Sequence, residues 1–165
     1  MGRYRPPAPR SSPYITRAGY QALTDELKAL WQRRTGVTRA LTAAAAEGDR
    51  SENAEYIYRK KELREIDRRI RYLQKRLPDL RVVAAAPSDP DRVFFGAWIT
   101  LEDETGTELV YRIVGADEFD PTRGWISMDS PMATALMNKA LDDEVRVETP
   151  SGIRNYIIVA ISYAG

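Results

Sequence analysis

The chain has 165 residues, of which 43% are hydrophobic and 30% are charged, as expected of a globular protein with long exposed helices. It contains no cysteine and no histidine, which excludes disulfides, thiolate chemistry and the imidazole ligands of transition-metal sites. Any bound metal would therefore be a hard ion held by oxygen atoms.

The net charge of +1 conceals an asymmetry between the two halves of the chain. Residues 1–84 carry 19 Lys and Arg against 10 Asp and Glu, whereas residues 85–165 carry 6 against 14. A basic half followed by an acidic half indicates two modules with different partners.

The first thirteen residues are rich in Pro, Arg and Ser, and residues 1–13 are predicted to form a disordered basic tail. This tail has no apolar core of the kind that a signal peptide needs. No stretch of the chain reaches the roughly 18 apolar residues of a membrane span. We therefore expect no membrane partner and a cytoplasmic location.

Two long helices are predicted in the basic half, the first after a Thr16 N-cap. The residues of each buried seam recur in steps of three and four, as in a coiled coil. They are Tyr20, Leu23, Leu27, Leu30, Arg34, Val37, Leu41 and Ala44, then Tyr56, Arg59, Leu63, Ile66, Ile70, Leu73, Leu77 and Leu80.

A short turn joins these helices, so we expect residues 14–84 to form an antiparallel coiled-coil hairpin. In this register Arg34, which interrupts the first seam, is expected to lie near Glu62 and Glu65.

The turn at residues 48–53 carries two carboxylates three residues apart, Asp49 and Glu52. One interpretation is a capping box, with Asp49 as the N-cap and Glu52 at the third helical position. The other is half of a Mg²⁺ site, since Mg²⁺ is bound by one or two carboxylates together with water and substrate phosphates. Two acids do not complete such a site, so another macromolecule would have to do so. The spacing alone leaves both interpretations open.

A stripe of like charge is predicted on the second helix, on the face away from its seam. A solvated helix face with ion pairs four residues apart would alternate in sign. Here the sign is uniform, which favours contact with a polyanion. The five residues of this basic stripe are Lys61, Arg64, Arg68, Arg71 and Lys75, and Arg50 and Lys60 extend the positive charge towards the turn.

The acidic half reads as a linker followed by strands. Residues 85–91 are rich in Ala and Pro, and beyond them the apolar period changes to that of a sheet. Strands are predicted at 92–101, 109–114, 124–128, 145–148 and 153–162, with a short helix after Ser130 and Pro131. Residues 92–165 should form a mostly antiparallel α+β domain, and the whole chain belongs to the α+β fold class.

Two further features of this half have alternative interpretations. Asp129, Ser130, Pro131 and Met132 form either a well-capped helix start or an exposed docking corner. The aromatic residues Phe94, Phe95, Trp98 and Trp125 are predicted to lie in the core and not to form a ligand platform.

Several segments resemble the bacterial Gre family of transcript cleavage factors, and its GreB branch more than GreA. The resemblance runs from about Tyr14 to Ile161. The segments that carry it are Gly48-Asp49-Arg50-Ser51-Glu52-Asn53-Ala54-Glu55-Tyr56, the run from Lys60 to Arg71, Val93-Phe94-Phe95-Gly96-Ala97-Trp98, Arg112-Ile113-Val114-Gly115 and Asp129-Ser130-Pro131.

The resemblance implies a function and a mechanism. The C-terminal domain would be FKBP-like and would dock on RNA polymerase through the corner 129–132. The coiled coil would enter the secondary channel, where Asp49 and Glu52 would help hold a catalytic Mg²⁺ in a site completed by the polymerase. The reaction would be endonucleolytic cleavage of backtracked nascent RNA, with this chain as a monomeric accessory factor and not an enzyme on its own.

The same resemblance assigns the basic residues and shows departures from the family, among them the basic N-terminal tail, which has no counterpart in it. Arg50, Lys60, Lys61, Arg64 and Arg68 would contact the backtracked 3′ segment of the RNA. Residues 34–36, Arg-Thr-Gly, stand where Glu-Arg-Pro is usual in the family, and Asp142 stands where Gly is usual.

The sequence is compatible with three alternative functions. An inhibitory relative would occupy the channel without supporting cleavage, a peptidyl-prolyl isomerase would use the FKBP-like domain, and a coiled-coil adaptor would not depend on the turn acids. Assays of transcript cleavage, of proline isomerisation and of variants in the turn separate them.

Overall fold

The computed structural model describes residues 10–47 and 53–163, which form two compact units. The helical unit spans Tyr20–Leu80, and the sheet unit combines the residues up to Gly19 with those from Arg81 onward. The helical unit contains most of α1 (Arg17–Ala45), all of α2 (Ala54–Arg76) and a 3₁₀ turn (Leu77–Asp79). The fold class, α+β with a helical hairpin in front of a small sheet domain, is confirmed.

The two helices are antiparallel and bury the predicted seams. All sixteen seam residues are buried or half-buried, whereas the five residues of the basic stripe are exposed. The centre of the hairpin is Val37, Ile66 and Ile70, each at most 4% exposed, with Leu27, Leu30 and Leu63 packed around them. The heptad spacing therefore predicts correctly which face of each helix is covered.

The prediction that Arg34 lies near Glu62 and Glu65 is wrong. Its Nε lies 2.7 Å from a carboxylate oxygen of Asp67, while Glu62 is paired with Arg33 at 3.5 Å and Arg59 at 3.4 Å. Side chains on a helix tilt towards its N-terminus, and the N-terminal end of α1 lies beside the later residues of α2. Arg34 therefore reaches past Glu62 and Glu65.

The sheet unit contains a five-stranded sheet in the order β5-β4-β3-β7-β6. Its strands are β3 (Trp98–Asp103), β4 (Glu108–Val114), β5 (Trp125–Ser127), β6 (Glu144–Thr149) and β7 (Gly152–Ser162), and the short helix α3 covers Pro131–Leu136. Neighbouring strands are antiparallel except β4 and β5. The core of this unit consists of apolar side chains from the sheet, from α3 and from the segment before β3, including Ile99, Leu101, Ile113, Leu136 and Ile158.

The strand predicted at 92–101 begins later than expected. Regular pairing starts at Trp98, and before it Arg92 forms an isolated bridge with Ala140. Gly96 has a φ of 86°, a left-handed conformation that turns the chain just before β3. The hydrophobic run is buried, as at Val93 and Ala97, but it is not extended.

A second, two-stranded sheet moves the predicted boundary of the hairpin. β1 (Tyr14–Thr16) pairs in parallel with β2 (Arg81–Val83), and Ile15 is fully buried. The predicted hairpin of residues 14–84 therefore loses both of its ends to the sheet unit. Residues 14–16 and 81–83 form strands because the backbone hydrogen bonds of each segment are made to the other segment and not within a helix.

The carboxylate of Glu118 anchors β1. It accepts the backbone N–H of Thr16 at 3.1 Å and of Gly115 at 2.8 Å, and it also accepts the Thr16 hydroxyl. The same hydroxyl oxygen accepts the N–H of Gly19 at 3.0 Å, which confirms Thr16 as the residue that caps α1. A side chain at Gly115 would stand 2.2 Å from the Tyr14 carbonyl oxygen, so this close approach requires glycine.

The prediction of a disordered tail over residues 1–13 is wrong for its last two residues. Residues 1–9 lie outside the described part of the chain. Ser12 donates its backbone N–H to Asp129 at 2.9 Å, and the Pro13 carbonyl accepts the N–H of Arg81 at 2.8 Å. These two residues therefore belong to the sheet unit.

In the described ranges, none of the helices has both the length and the apolarity needed to span a membrane.

Candidate nucleic-acid interface and docking corner

The acidic turn lies between two helix ends that the structure describes. Asp49, Arg50 and Glu52 themselves lie outside the described residues. On one side α1 ends at Ala45, and on the other Asn53 precedes the first residue of α2. The segment that carries the acids is therefore the seven residues 46–52 between the end of α1 and the cap of α2.

Asn53 connects the two helices at the base of this turn. Its side-chain oxygen accepts the N–H of Tyr56 at 3.0 Å, and its amide nitrogen donates to the carbonyl of Ala44 at 2.7 Å. The first bond caps α2 and the second satisfies a carbonyl at the end of α1. Sequence reasoning missed this residue, although Asn followed by Ala and Glu is a recognisable helix start.

The capping-box interpretation of the acids is wrong, because the N-cap of α2 is Asn53 and not Asp49. Glu55, and not Glu52, lies in the first turn of α2. The structural role that would have explained the two turn acids is thus filled by another residue.

The basic stripe differs in its pairing from the cations that lie nearer the seams. Within the described residues, none of its five members has an ion pair. The cations nearer the seams are neutralised, with Arg59 bound to Glu55 at 2.9 Å and Arg69 bound to Glu26 through two bonds of 2.9 Å. The five charges of the stripe are therefore not neutralised by ion pairs within the described part of the hairpin, so this face is electropositive.

Hydrogen bonds to carboxylates raise the pKa of both Arg34 and Arg59 above the ordinary value, through Asp67 and Glu55 respectively. These guanidinium groups are thus committed to partners within the hairpin. Lys60 is exposed and stands 5.8 Å from the centre of the Tyr56 ring, which holds it near the start of α2.

The docking corner is a capped helix start and is also partly exposed. Ser130 accepts the N–H of Ala133 at 3.2 Å, and Pro131 occupies the first position of α3, so the capping interpretation is confirmed. Met132 packs against the core, whereas Asp129 and Pro131 are exposed. Asp129 accepts both the backbone N–H and the hydroxyl of Ser12.

The tryptophans of the sheet unit are not core residues, which corrects the prediction. Trp98, Arg112 and Trp125 are direct neighbours across β3, β4 and β5. The Arg112 guanidinium lies 5.2 Å from each indole ring, and both tryptophans are half-buried. Phe94 and Phe95 are also half-buried and stand outside the core cluster. Cross-strand stacking, and not burial, accounts for the two tryptophans.

Carboxylate clusters give no complete metal site in the part of the chain that the structure describes, where no three acidic side chains converge. The ligand chemistry of Asp49 and Glu52 suits Mg²⁺, which prefers carboxylate and water oxygens.

Comparison with known proteins identifies the family. The family described as transcription elongation factor, GreA/GreB, C-terminal, matches residues 87–163, and the family described as transcription elongation factor, N-terminal, matches residues 13–82. The transcription elongation factor GreB of Xanthomonas axonopodis pv. citri (strain 306) is 58% identical over an alignment of 166 positions, which covers 99% of each chain. The GreB of Pseudomonas aeruginosa is 57% identical and covers 99% of this chain and 98% of its own.

Among solved structures, the chain is similar to the GreA factor homolog 1 (Gfh1) protein of Thermus thermophilus. The two are 28% identical, with 93% of this chain and 99% of that chain covered and a TM-score of 0.41. The family assignment rests on the sequence relatives and not on this superposition. Both halves of the chain are matched by family models, and full-length relatives share more than half of its residues. The chain therefore belongs to the GreA/GreB family of transcription elongation factors, on its GreB side.

Proposed function

We propose that this transcription elongation factor stimulates endonucleolytic cleavage of backtracked nascent RNA by RNA polymerase. The hairpin delivers Asp49 and Glu52 to the polymerase active centre, the basic stripe contacts the RNA, and the sheet unit docks on the polymerase surface. The observation that carries the proposal is that Asn53 bonds to both helix ends at the base of the turn. It caps α2, so capping of this helix does not require the carboxylates of the two acids.

The proposed metal contact uses the oxygen chemistry of the turn. When bound, a Mg²⁺ ion would supply a water molecule of lowered pKa for attack on the phosphodiester. Asp49 and Glu52 would contribute two of its oxygen ligands, and the polymerase and the RNA phosphate would contribute the rest. The chain's own part is to place two carboxylates on a short segment between two helix ends.

The proposed RNA contact uses the basic stripe together with Arg50 and Lys60. Free cations on one helix face attract phosphates, and their affinity falls as salt rises. Arg59 in the seam and Arg69 beside it are not candidates, because their charges are neutralised within the hairpin.

The proposed docking contact centres on Pro131. This residue is exposed at the first turn of α3, while the Asp129 carboxylate already has Ser12 as a partner. Ser130 is occupied as the cap and Met132 packs against the core, so both would position Pro131 more than they would contact a partner.

The variants Asp49→Asn and Glu52→Gln test the metal contact. Because Asn53 caps α2, the free energy of unfolding of both variants should lie within a few tenths of a kcal/mol of the wild-type value. Neutral amides bind Mg²⁺ poorly, so cleavage of the transcript in stalled elongation complexes should fall by about 100-fold. The measurement is cleavage rate at several Mg²⁺ concentrations, paired with thermal unfolding.

Glu55→Gln, in the first turn of α2, is the matched control and should keep wild-type cleavage. Wild-type cleavage by the two turn variants would refute the proposed metal contact and favour a coiled-coil adaptor. Binding without cleavage by the wild type would instead favour an inhibitory channel-binding relative, and catalysis of proline isomerisation would favour a peptidyl-prolyl isomerase.

A further inference from the structure

The helical unit leaves a tryptophan partly exposed on its surface. Trp31 lies on α1 and is 46% exposed, whereas the chain's other two tryptophans belong to the sheet unit. An indole exposed to this extent forgoes much of the hydrophobic contribution that a buried one makes. Trp31 is not one of the seam residues, so it presents part of an aromatic surface to solvent on α1.

Trp31 lines an open groove of about 460 Å³ on the flank of the hairpin. The other residues that line the groove are Arg34, Asp67, Ile70, Arg71 and Gln74. An aromatic face, the buried Ile70 and several hydrogen-bonding side chains thus meet in one place.

The groove is electropositive on balance. The carboxylate of Asp67 is neutralised by Arg34 at 2.7 Å, and the same guanidinium lies 6.0 Å from the centre of the Trp31 ring. This leaves Arg71, which is exposed and has no ion-pair partner among the residues described. Arg71 is also the fourth member of the basic stripe, so the groove opens directly onto that stripe.

We propose that the groove binds one base of single-stranded RNA, with the base stacked on the indole of Trp31 and the adjoining phosphate beside Arg71. Sites for single-stranded nucleic acid combine a basic track along the backbone with aromatic side chains on which bases stack. The basic stripe on α2 supplies the track, and Trp31 on α1 supplies the stacking surface. The inference deepens the proposed function and rests on its RNA contact.

Affinity of the full-length chain for a short oligouridylate tests the stacking site. Loss of one base–aromatic contact should weaken binding about tenfold in Trp31→Ala. Trp31→Leu, which keeps an apolar side chain but has no π face, should lose about as much, whereas Trp31→Phe should retain most of the affinity. Tyr72→Ala is the matched control, because Tyr72 is 42% exposed on α2 and lies over Arg69, outside the groove.

The salt dependence separates stacking from charge. Trp31→Ala should leave the slope of log affinity against log salt unchanged, since no phosphate contact is removed. Arg71→Ala should reduce the magnitude of that slope by about 0.7, the value for one phosphate contact to a single strand. If Trp31 had only a structural role, its loss would not weaken affinity while leaving the salt dependence unchanged.

The outcomes separate this inference from the proposed function. If Trp31→Ala and Tyr72→Ala both bind RNA as the wild type does, while Lys61→Ala/Arg64→Ala/Arg68→Ala binds more weakly, the stacking site is wrong and the stripe contact stands. If the triple variant also binds as the wild type does, the proposed RNA contact fails and the stacking site fails with it. Circular dichroism of each variant verifies that the helices are intact.

Discussion

At the scale of single residues, an uncharged side chain joins the two helix ends that flank the acidic turn. Asn53 bonds to Tyr56 on one helix and to Ala44 on the other, so it holds the two helix ends together beside the acids. An aspartate in the same place could cap α2 but could not donate to the Ala44 carbonyl. The amide is therefore suited to this position in a way that a carboxylate is not.

Asp142 is a second residue whose conformation matters, and it gives a stability prediction. Its φ of 69° lies in the left-handed region that glycine adopts without strain. Asp142→Gly should raise the free energy of unfolding by about 0.5–1 kcal/mol, since relief of strain outweighs the added freedom of the unfolded chain. Denaturant unfolding measures the change.

Asp142→Ala is the control for that prediction, because it removes the carboxylate but keeps the strained conformation. It should be less stable than Asp142→Gly by about 1 kcal/mol. Equal stabilities of the two variants would show that the backbone conformation is not the determinant.

At the scale of elements, the coiled coil depends on its apolar seam more than on its ion pairs. Ile66 is 3% exposed at the centre of the hairpin, whereas the side chains of the Glu26–Arg69 pair remain 35% and 41% exposed. Exposed pairs contribute about 0–1 kcal/mol, because water screens them and ordering two long side chains is unfavourable.

This contrast predicts different effects of two substitutions on α2. Ile66→Ala should destabilise the chain by about 2–4 kcal/mol, through lost burial and the cavity left behind. Arg69→Met, which keeps an unbranched aliphatic side chain, should lower the free energy of unfolding by about 1 kcal/mol or less. Unfolding followed by circular dichroism at 222 nm, where helix dominates the signal, compares them. A larger effect of Arg69→Met than of Ile66→Ala would contradict the assignment of stability to the seam.

At the scale of the whole molecule, the sheet unit is discontinuous in sequence but its core is not. The residues that form the core cluster all lie between Val93 and Tyr163. β1 and β2 add a second small sheet. When residues 10–19 are removed, Glu118 keeps its bond from Gly115 but loses those from Thr16, and Asp129 loses Ser12. A fragment from Asp89 to Gly165 should therefore fold, with lower stability than the intact unit.

Docking through the sheet unit predicts that this fragment competes with the full-length chain for RNA polymerase. Residues 85–165 carry 6 Lys and Arg against 14 Asp and Glu, so competition should weaken as added salt screens the acidic surface. The same fragment carrying Pro131→Ala should compete less well, while Pro150→Ala, in the β6–β7 turn, serves as its control. A folded fragment that never competes would refute docking through this unit.

The sequence by itself determined the two helical seams, the exposed basic stripe and most of the strands. In each case the signal is local, because a period of 3.5 residues or of two residues dictates which face of an element can be buried. The cap at Ser130 is equally local, since its bond reaches only Ala133. The likeness of the chain to the Gre family is also carried by contiguous motifs.

Only the tertiary structure decided the contacts between segments far apart in the chain. The pairing of Tyr14–Thr16 with Arg81–Val83 has no local signal, and neither does the choice of Asp67 over Glu62 by Arg34. The groove beside Trp31 exists because α1 and α2 lie side by side, which places an indole from one helix next to a cation from the other. Such contacts depend on the distance between elements, and a period along one element does not specify that distance.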